Sequence, residues 1–403
     1  MTQPNTSNGW LSGISSEVRC LCVISFLSAV GFGIQSPAIP ILGSDLGMGS
    51  TMIGMVVAVF ALARLLLAWP SGKLIDVWGE YWLLSGGLWL IALGSFGAGL
   101  SNSASGLLFY RGLCGAGSIF YSVAAMNLML RTTDAAYRGK AAGLFMSAYY
   151  IGTVSGPALG SSFIEMSVRL PFFVYGAGSA AAALFALVLL RHLRQPQAPG
   201  NEASSASVSM PQALRQPIYR ASIATNFSIG FAVYGVRVSV LPLFLLAVLQ
   251  QPAHWIGIGL TVGALAQIIT LPLAGRLTDN WGRKPSMVLG LAFTLGSFIA
   301  IIMLESLATY LLGLALMGLG SGLCSTSSAA AAGDTADGRG GTVIASYQMA
   351  ADLGMVVGPV LIGLLAERYS YSLALGTTAA LIAVTLLTTA MAANKKNQDT
   401  PHA

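Results

Sequence analysis

Four ionisable side chains lie deep inside long apolar runs of this sequence: Arg64, Arg111, Arg237 and Asp352. A charge placed there costs at least ~2.5 kcal/mol on membrane-insertion scales, so each must pair, meet a ligand or move a proton. Arg64 lies 12 residues before Asp76, and Asp352 lies 12 residues after Gly340. At about 1.5 Å of helix rise per residue, both stand about 18 Å from the ends of their runs. A carboxylate at that depth can carry a proton. Guanidinium groups there can hold an anion or a hydrogen-bond acceptor, or bond backbone carbonyls.

The elements that position these groups follow from composition. The chain has 403 residues, 55% hydrophobic and 8% charged, with a mean hydropathy of +0.74. A soluble domain carries about 25% charge, and a membrane helix needs about 20 apolar residues. Apolar segments run near 18–42, 51–73, 82–101, 104–131, 139–164 and 170–192, then near 218–248, 255–276, 286–304, 307–332, 341–365 and 372–392. They form an all-α membrane protein of twelve helices, since helices satisfy their own backbone and no barrel alternation is present. The expected domains are residues 1–192, a linker at 193–216 rich in Pro, Ser, Ala and Gln, and residues 217–403.

With the N-terminus taken as cytoplasmic, fifteen Lys and Arg side chains fall in inside loops, and only Arg169 and Arg368 fall outside. That asymmetry places both termini in the cytoplasm. The formal charge of +6 is spent in these short loops, which argues against nucleic acid as a partner. The polar N-terminus lacks the pattern of a signal peptide. Cys20, Cys22, Cys114 and Cys324 read as small buried hydrophobes, and His192, His254 and His402 form no ligand cluster. No nucleotide, nucleophile or metal motif occurs. The expectation is therefore no cofactor, no metal and no enzyme activity.

The two sets of six spans are repeats. A shift of 202 or 203 residues aligns Gly33 with Gly235, Pro40 with Pro242, Asp76 with Asp279 and Gly79 with Gly282. It also aligns Gly117 with Gly320, and Gly156-Pro157 with Gly358-Pro359. Parallel repeats about an axis along the membrane normal are a transporter architecture, with substrate held between the halves.

These residues resemble the major facilitator superfamily along nearly the whole chain. Gly72, Leu74, Asp76 and Gly79 are similar to its G-x-L-x-D-x-x-G-R-K hinge, with Glu80 and Tyr81 in place of the basic pair. The second copy keeps Gly275, Leu277, Asp279, Gly282, Arg283 and Lys284. The resemblance implies a cytoplasmic gate at both hinges. "RGLCGAG" from Arg111 resembles the family's span-4 motif, which is linked to proton transfer. "GTVSGPALG" resembles the span-5 motif of its drug:proton antiporters, with Gly152, Gly156, Pro157 and Gly160 spaced for close helix packing, and Ser161 replacing a closing Gly. Gly358 and Pro359 repeat that pattern in span 11.

In the family's arrangement spans 2 and 11 face each other, which would bring Arg64 and Asp352 together. The pair is then either a proton-sensitive bridge or a permanent structural one. The repeat mates, Gln267 and Tyr150, form a neutral counterpart across spans 8 and 5. Spans 1, 4, 7 and 10 usually face the cavity in this family, so Gln35, Arg111, Arg237, Tyr234, Tyr121 and Phe32 are candidate substrate contacts. The sequence thus points to a monomeric, proton-coupled exporter of drug-like or secondary-metabolite molecules in a bacterial inner membrane, with a small molecule, protons and the lipid bilayer as its partners. Proton-coupled uptake of a small anionic metabolite and a non-transporting membrane sensor are the alternatives.

Overall fold

The computed structural model describes residues 15–133, 137–191, 210–336 and 341–392. Among them, eleven helices are long and apolar enough to cross a membrane. Spans 1 to 4 are Ser16–Asp45, Ser50–Ile75, Val77–Leu100 and Ala104–Met129. Span 5 is Arg138–Met166, whose length also suffices; its glycines, serines, tyrosines and Pro157 dilute its apolar content. Span 6 is Leu170–Leu189, and spans 7 to 9 are Pro217–Ala247, His254–Asn280 and Arg283–Leu304. Spans 10 to 12 are Leu307–Thr335, Val343–Arg368 and Tyr371–Met391. A short helix, Met210–Arg215, precedes span 7, inside the stretch read from composition as linker.

Local chemistry sets the ends of these helices. Side chains of Ser15, Ser103 and Ser370 accept from the N–H groups of Val18, Gly106 and Leu373, which caps spans 1, 4 and 12. Spans 2 and 3 read as separate segments in the sequence, yet the helix runs from Ser50 to Leu100 with a single break at Gly79. Gly79 has φ 78° and Gly282 has φ 103°. Only glycine adopts this backbone without a steric penalty, so both hinges turn on the same residue type. Span 1 bends between Gln35 and Ala38.

Spans 1–6 and 7–12 form two bundles. One core gathers Ile24, Leu84, Leu128 and Ala183 of the first half; another gathers Val236, Leu260, Leu314 and Ile382 of the second. The halves meet along two related seams, span 2 on span 11 and span 5 on span 8. A third cluster seals them at the face away from the hinges, with Ile39, Leu42 and Ile53 against Leu243 and Tyr371. Near the hinges, a Cβ built on Gly72, Gly143 or Gly275 would meet nothing within 4 Å. The apolar and polar contacts described between the halves thus gather on the face away from the hinges.

Candidate functional site

Span 2 lies against span 11 through a ladder of contacts. At the far face, Thr51 donates its N–H and hydroxyl to Glu367 Oε2 at 3.0 and 2.6 Å, and the Ser50 and Tyr371 hydroxyls lie 3.4 Å apart. One step deeper, Gly54 faces the Pro359 carbonyl so closely that no side chain fits between them. Deeper still, Arg64 Nε stands 3.7 Å from Asp352 Oδ1, with side chains 25% and 21% exposed. Arg64 also donates from Nη1 to Ser118 Oγ of span 4 at 2.8 Å. The pair is the deepest of these rungs, and both of its side chains are partly exposed. The two groups that sequence depth placed level with each other do meet.

The related seam closes differently. Glu165 and His254 lie 3.9 Å apart at the far face, and Gly257 packs against the Pro157 carbonyl and Ser161. Gln267 and Tyr150 make no hydrogen bond with each other among the described residues; Gln267 is buried, and Gly318 and Gly322 of span 10 pass close to its backbone. Tyr149 and Tyr150 instead stand within electrostatic range of Tyr234, and Tyr149 within range of Arg64. Tyr347 joins the same group. Of these tyrosines, the residue types alone singled out only Tyr234 as a contact. The adjacent Tyr149-Tyr150 at the repeat position of Asp352 was the available signal for the rest.

Arg111 and Arg237 are both buried, at 1% and 9% exposure. Arg111 Nη1 donates to Gln35 Oε1 at 2.8 Å, and its guanidinium carbon lies 4.7 Å from the centre of the Phe60 ring. Phe32 packs beside Phe60 at 5.6 Å, and Tyr121 is buried in the first-half core. Arg237 begins the regular helix that follows a π-helical turn, Gly230–Val236, containing Tyr234. Such turns recur at functional sites. Here Gly230 and Gly354 press spans 7 and 11 together, each glycine against the other span's backbone. Arg237 Nε and Nη1 have no hydrogen-bond partner among the described residues.

The span-5 glycines lie against span 1. A Cβ on Gly152 would stand 2.7 Å from the Phe26 carbonyl, and one on Gly156 2.6 Å from that of Val30. Gly160 meets Ile34, and Pro157 meets Gly33. The same relation recurs in the second half, with Gly358 against Phe231 and Pro359 against Gly235.

At the hinges, Arg283 donates to Asp279 and Asp334, each at 2.9 Å, and to the Thr278 carbonyl at 2.9 Å. Lys284 is half-buried, and the Asp76 side chain falls outside the described residues. Glu80, which departs from the basic pattern, pairs with Arg131 at 3.0 Å. A shift of 203 residues carries Glu80 onto Arg283 and Arg131 onto Asp334. Each half therefore ties its hinge to the end of span 4 or span 10 by one ion pair, with the charges reversed between halves. Tyr81, the mate of Lys284, donates its hydroxyl to the Leu187 carbonyl of span 6 at 2.9 Å.

A crevice of about 380 Å³ lies at the far-face seam, lined by Ser44, Met48, Leu243 and Tyr371 among others. It is far-side packing space, away from the mid-depth charges.

Comparison with known proteins agrees with this architecture. The family profile described as the Major Facilitator Superfamily matches residues 21–255 and 229–402. Multidrug resistance protein 1 of Bacillus subtilis (strain 168) is 26% identical over 374 residues, covering 90% of this chain and 93% of that protein. Quinolone resistance protein NorA of Staphylococcus aureus is 25% identical over 177 residues, covering 44% of this chain and 46% of that protein. In fold, the chain is similar to a bacterial homolog of the human lysosomal transporter Spinster, in an inward-facing and occupied conformation. The TM-score is 0.77 at 14% identity, over 95% of this chain and 98% of that one. It is similar also to the nucleoside transporter NupG, with a TM-score of 0.75 at 14% identity, over 94% of this chain and 100% of that one.

Proposed function

Because the chain belongs to the Major Facilitator Superfamily, a transporter family, we propose that this multi-pass membrane protein is a proton-driven exporter of drug-like or secondary-metabolite molecules. The observation that carries this reading is the Arg64–Asp352 pair, which joins one half to the other at the deepest rung described between spans 2 and 11. Two relatives whose names describe drug resistance support the substrate class. In this reading the hinge face is cytoplasmic, which the basic loops support, the membrane is a bacterial inner membrane, and the protein acts as a monomer.

The proposed mechanism follows from what the pair does in each charge state. With Asp352 ionised, the pair holds the empty carrier closed on the outer side. A proton on Asp352 removes the attraction and frees the seam; a substrate that competes for the pair frees it as well. The carrier then crosses loaded with a proton or with substrate, and the empty form does not cross. That is exchange. The two hinges and their ion pairs become the closing elements when the cytoplasmic side shuts. Phe32, Tyr234 and Arg237 line the substrate path in this reading, while Gln35 and Arg111 are joined by one hydrogen bond at its first-half wall.

The test uses inverted vesicles with an acidic lumen and a panel of fluorescent lipophilic dyes. Addition of a transported dye releases protons from the lumen if the two move in opposite directions. Movement of both in one direction would replace export with uptake by symport.

A further inference from the structure

The two halves use the same three positions in different ways. In the first half, Gln35 of span 1, Phe60 of span 2 and Arg111 of span 4 contact one another: the amide oxygen accepts from the guanidinium Nη1 and the ring covers it, while Gln35 Nε2 and Arg111 Nε have no partner among the described residues. The repeat carries these positions onto Arg237 of span 7, Gly263 of span 8 and Leu314 of span 10. The arginine has changed helices, and both of its companions are gone. Leucine offers no acceptor, and glycine offers no ring. A Cβ on Gly263 would stand 2.9 Å from the Leu314 carbonyl and 3.3 Å from Arg237 Nη1, so the glycine lets span 10 approach and leaves the guanidinium its room.

Arg237 is more than nine-tenths buried, and its Nε and Nη1 have no partner. The Tyr310 hydroxyl of span 10 is buried without a partner as well and stands within electrostatic range of Arg237. These are hydrogen-bond donors with no acceptor among the described residues, and a buried charge left in that condition is strongly unfavourable unless something completes it. Arg111 differs in degree: its Nε is also without a partner among the described residues, but its Nη1 has an acceptor in Gln35 and its guanidinium has an aromatic cover.

Resting on the transporter reading above, we infer that the second half recognises a monovalent anionic group on the substrate, a carboxylate or its like, through Arg237 with Tyr310 beside it. Arg111 takes no part in this recognition. The substrate is then a lipophilic weak acid or a zwitterion, whose apolar body lies along Phe32 and Tyr234. Recognition is one-sided: the first half keeps its arginine silent, and the second keeps its arginine available. Arginine suits the task because its planar fork of donors matches a carboxylate, which a lysine does not.

The probes are 4-(pyren-1-yl)butanoate and its neutral amide, which share the apolar body and differ in charge. Binding is followed by pyrene fluorescence on the purified full chain, at mildly alkaline pH without chloride. Wild type should bind the carboxylate about tenfold more tightly than the amide, a difference of about 1.4 kcal/mol. Arg237→Gln should bring the two affinities to within about twofold, and Arg237→Lys should keep part of the preference, since a charge remains. Tyr310→Phe should lower the preference about threefold, and Arg111→Gln should preserve it. Without probe, the melting temperature of Arg237→Gln should equal or exceed that of wild type, because it removes an unpaired buried charge. Equal binding of both probes by wild type, an unchanged preference in Arg237→Gln, or its loss in Arg111→Gln would overturn the inference. Dye exchange against protons is measured separately, so loss of that exchange with the acid preference intact would strike the transporter reading alone.

Discussion

Reversing both charges of the first hinge pair should leave the protein nearly as stable as it began, although either single reversal should not. Glu80 and Arg131 approach to 3.0 Å, with side chains 12% and 26% exposed. At an effective dielectric of ~20 their attraction is about 5 kcal/mol before desolvation. Exposed pairs measure only about 0–1 kcal/mol. This pair is intermediate in burial, which puts its net worth at about 1 kcal/mol. Glu80→Arg turns the attraction into repulsion between two guanidinium groups, and Arg131→Asp does so between two carboxylates. Each single change should then cost about 2 kcal/mol, or about 5 °C in melting temperature for a unit of this size. The double variant copies Arg283 and Asp334 of the second half and should recover most of the loss. The assay is thermal unfolding of the four proteins in one detergent, read as a double-mutant cycle. A double variant whose loss equals the sum of the singles would show that the two side chains act independently and that the reversed symmetry is incidental.

Three further outcomes follow from the packing. Gly54→Val would drive a branched side chain into the Pro359 carbonyl, so the outer seam should stay open; Ser50→Cys, on a cysteine-free background, should then react with a membrane-impermeant maleimide from outside. Glu367→Gln should raise the same labelling a few-fold, because it weakens the bonds to the Thr51 N–H and hydroxyl; unchanged labelling would remove Glu367 from the outer gate. Gly156→Leu should lower stability by about 1–3 kcal/mol through overpacking, since even its Cβ would lie 2.6 Å from the Val30 carbonyl, and a normal melting curve would contradict the close approach of spans 1 and 5.

The span pattern and the two hinges were legible in the sequence because they depend on hydropathy and on glycine. The meeting of Arg64 with Asp352 followed from depth along each helix together with the family resemblance, which sets spans 2 and 11 face to face. The partner of Arg111 was less so. Gln35 stood among the same candidates, but nothing in one sequence says whether a buried arginine turns toward a cavity or toward a neighbouring helix. Glu80 looked like a defect of the first hinge because it was read along the chain, whereas its partner Arg131 lies across the bundle. The repeat itself held that signal, since the shift that aligns the hinges also aligns Arg131 with Asp334. The π-helical turn at Gly230–Val236 had no local signature; its residues are ordinary helix formers and glycines, and the tight packing of span 11 surrounds it.

The most direct measurement sets wild type and Asp352→Asn side by side in proteoliposomes, using a dye that wild type exchanges for protons. Two rates are taken for each: uptake driven by an imposed pH gradient, and exchange of labelled for unlabelled dye with no gradient. If the carboxylate that pairs with Arg64 is the proton carrier, Asp352→Asn loses the first rate and keeps the second, because a permanently neutral side chain frees the seam but carries no proton. An Asp352→Asn protein that still concentrates dye against its gradient when driven by protons would contradict the account.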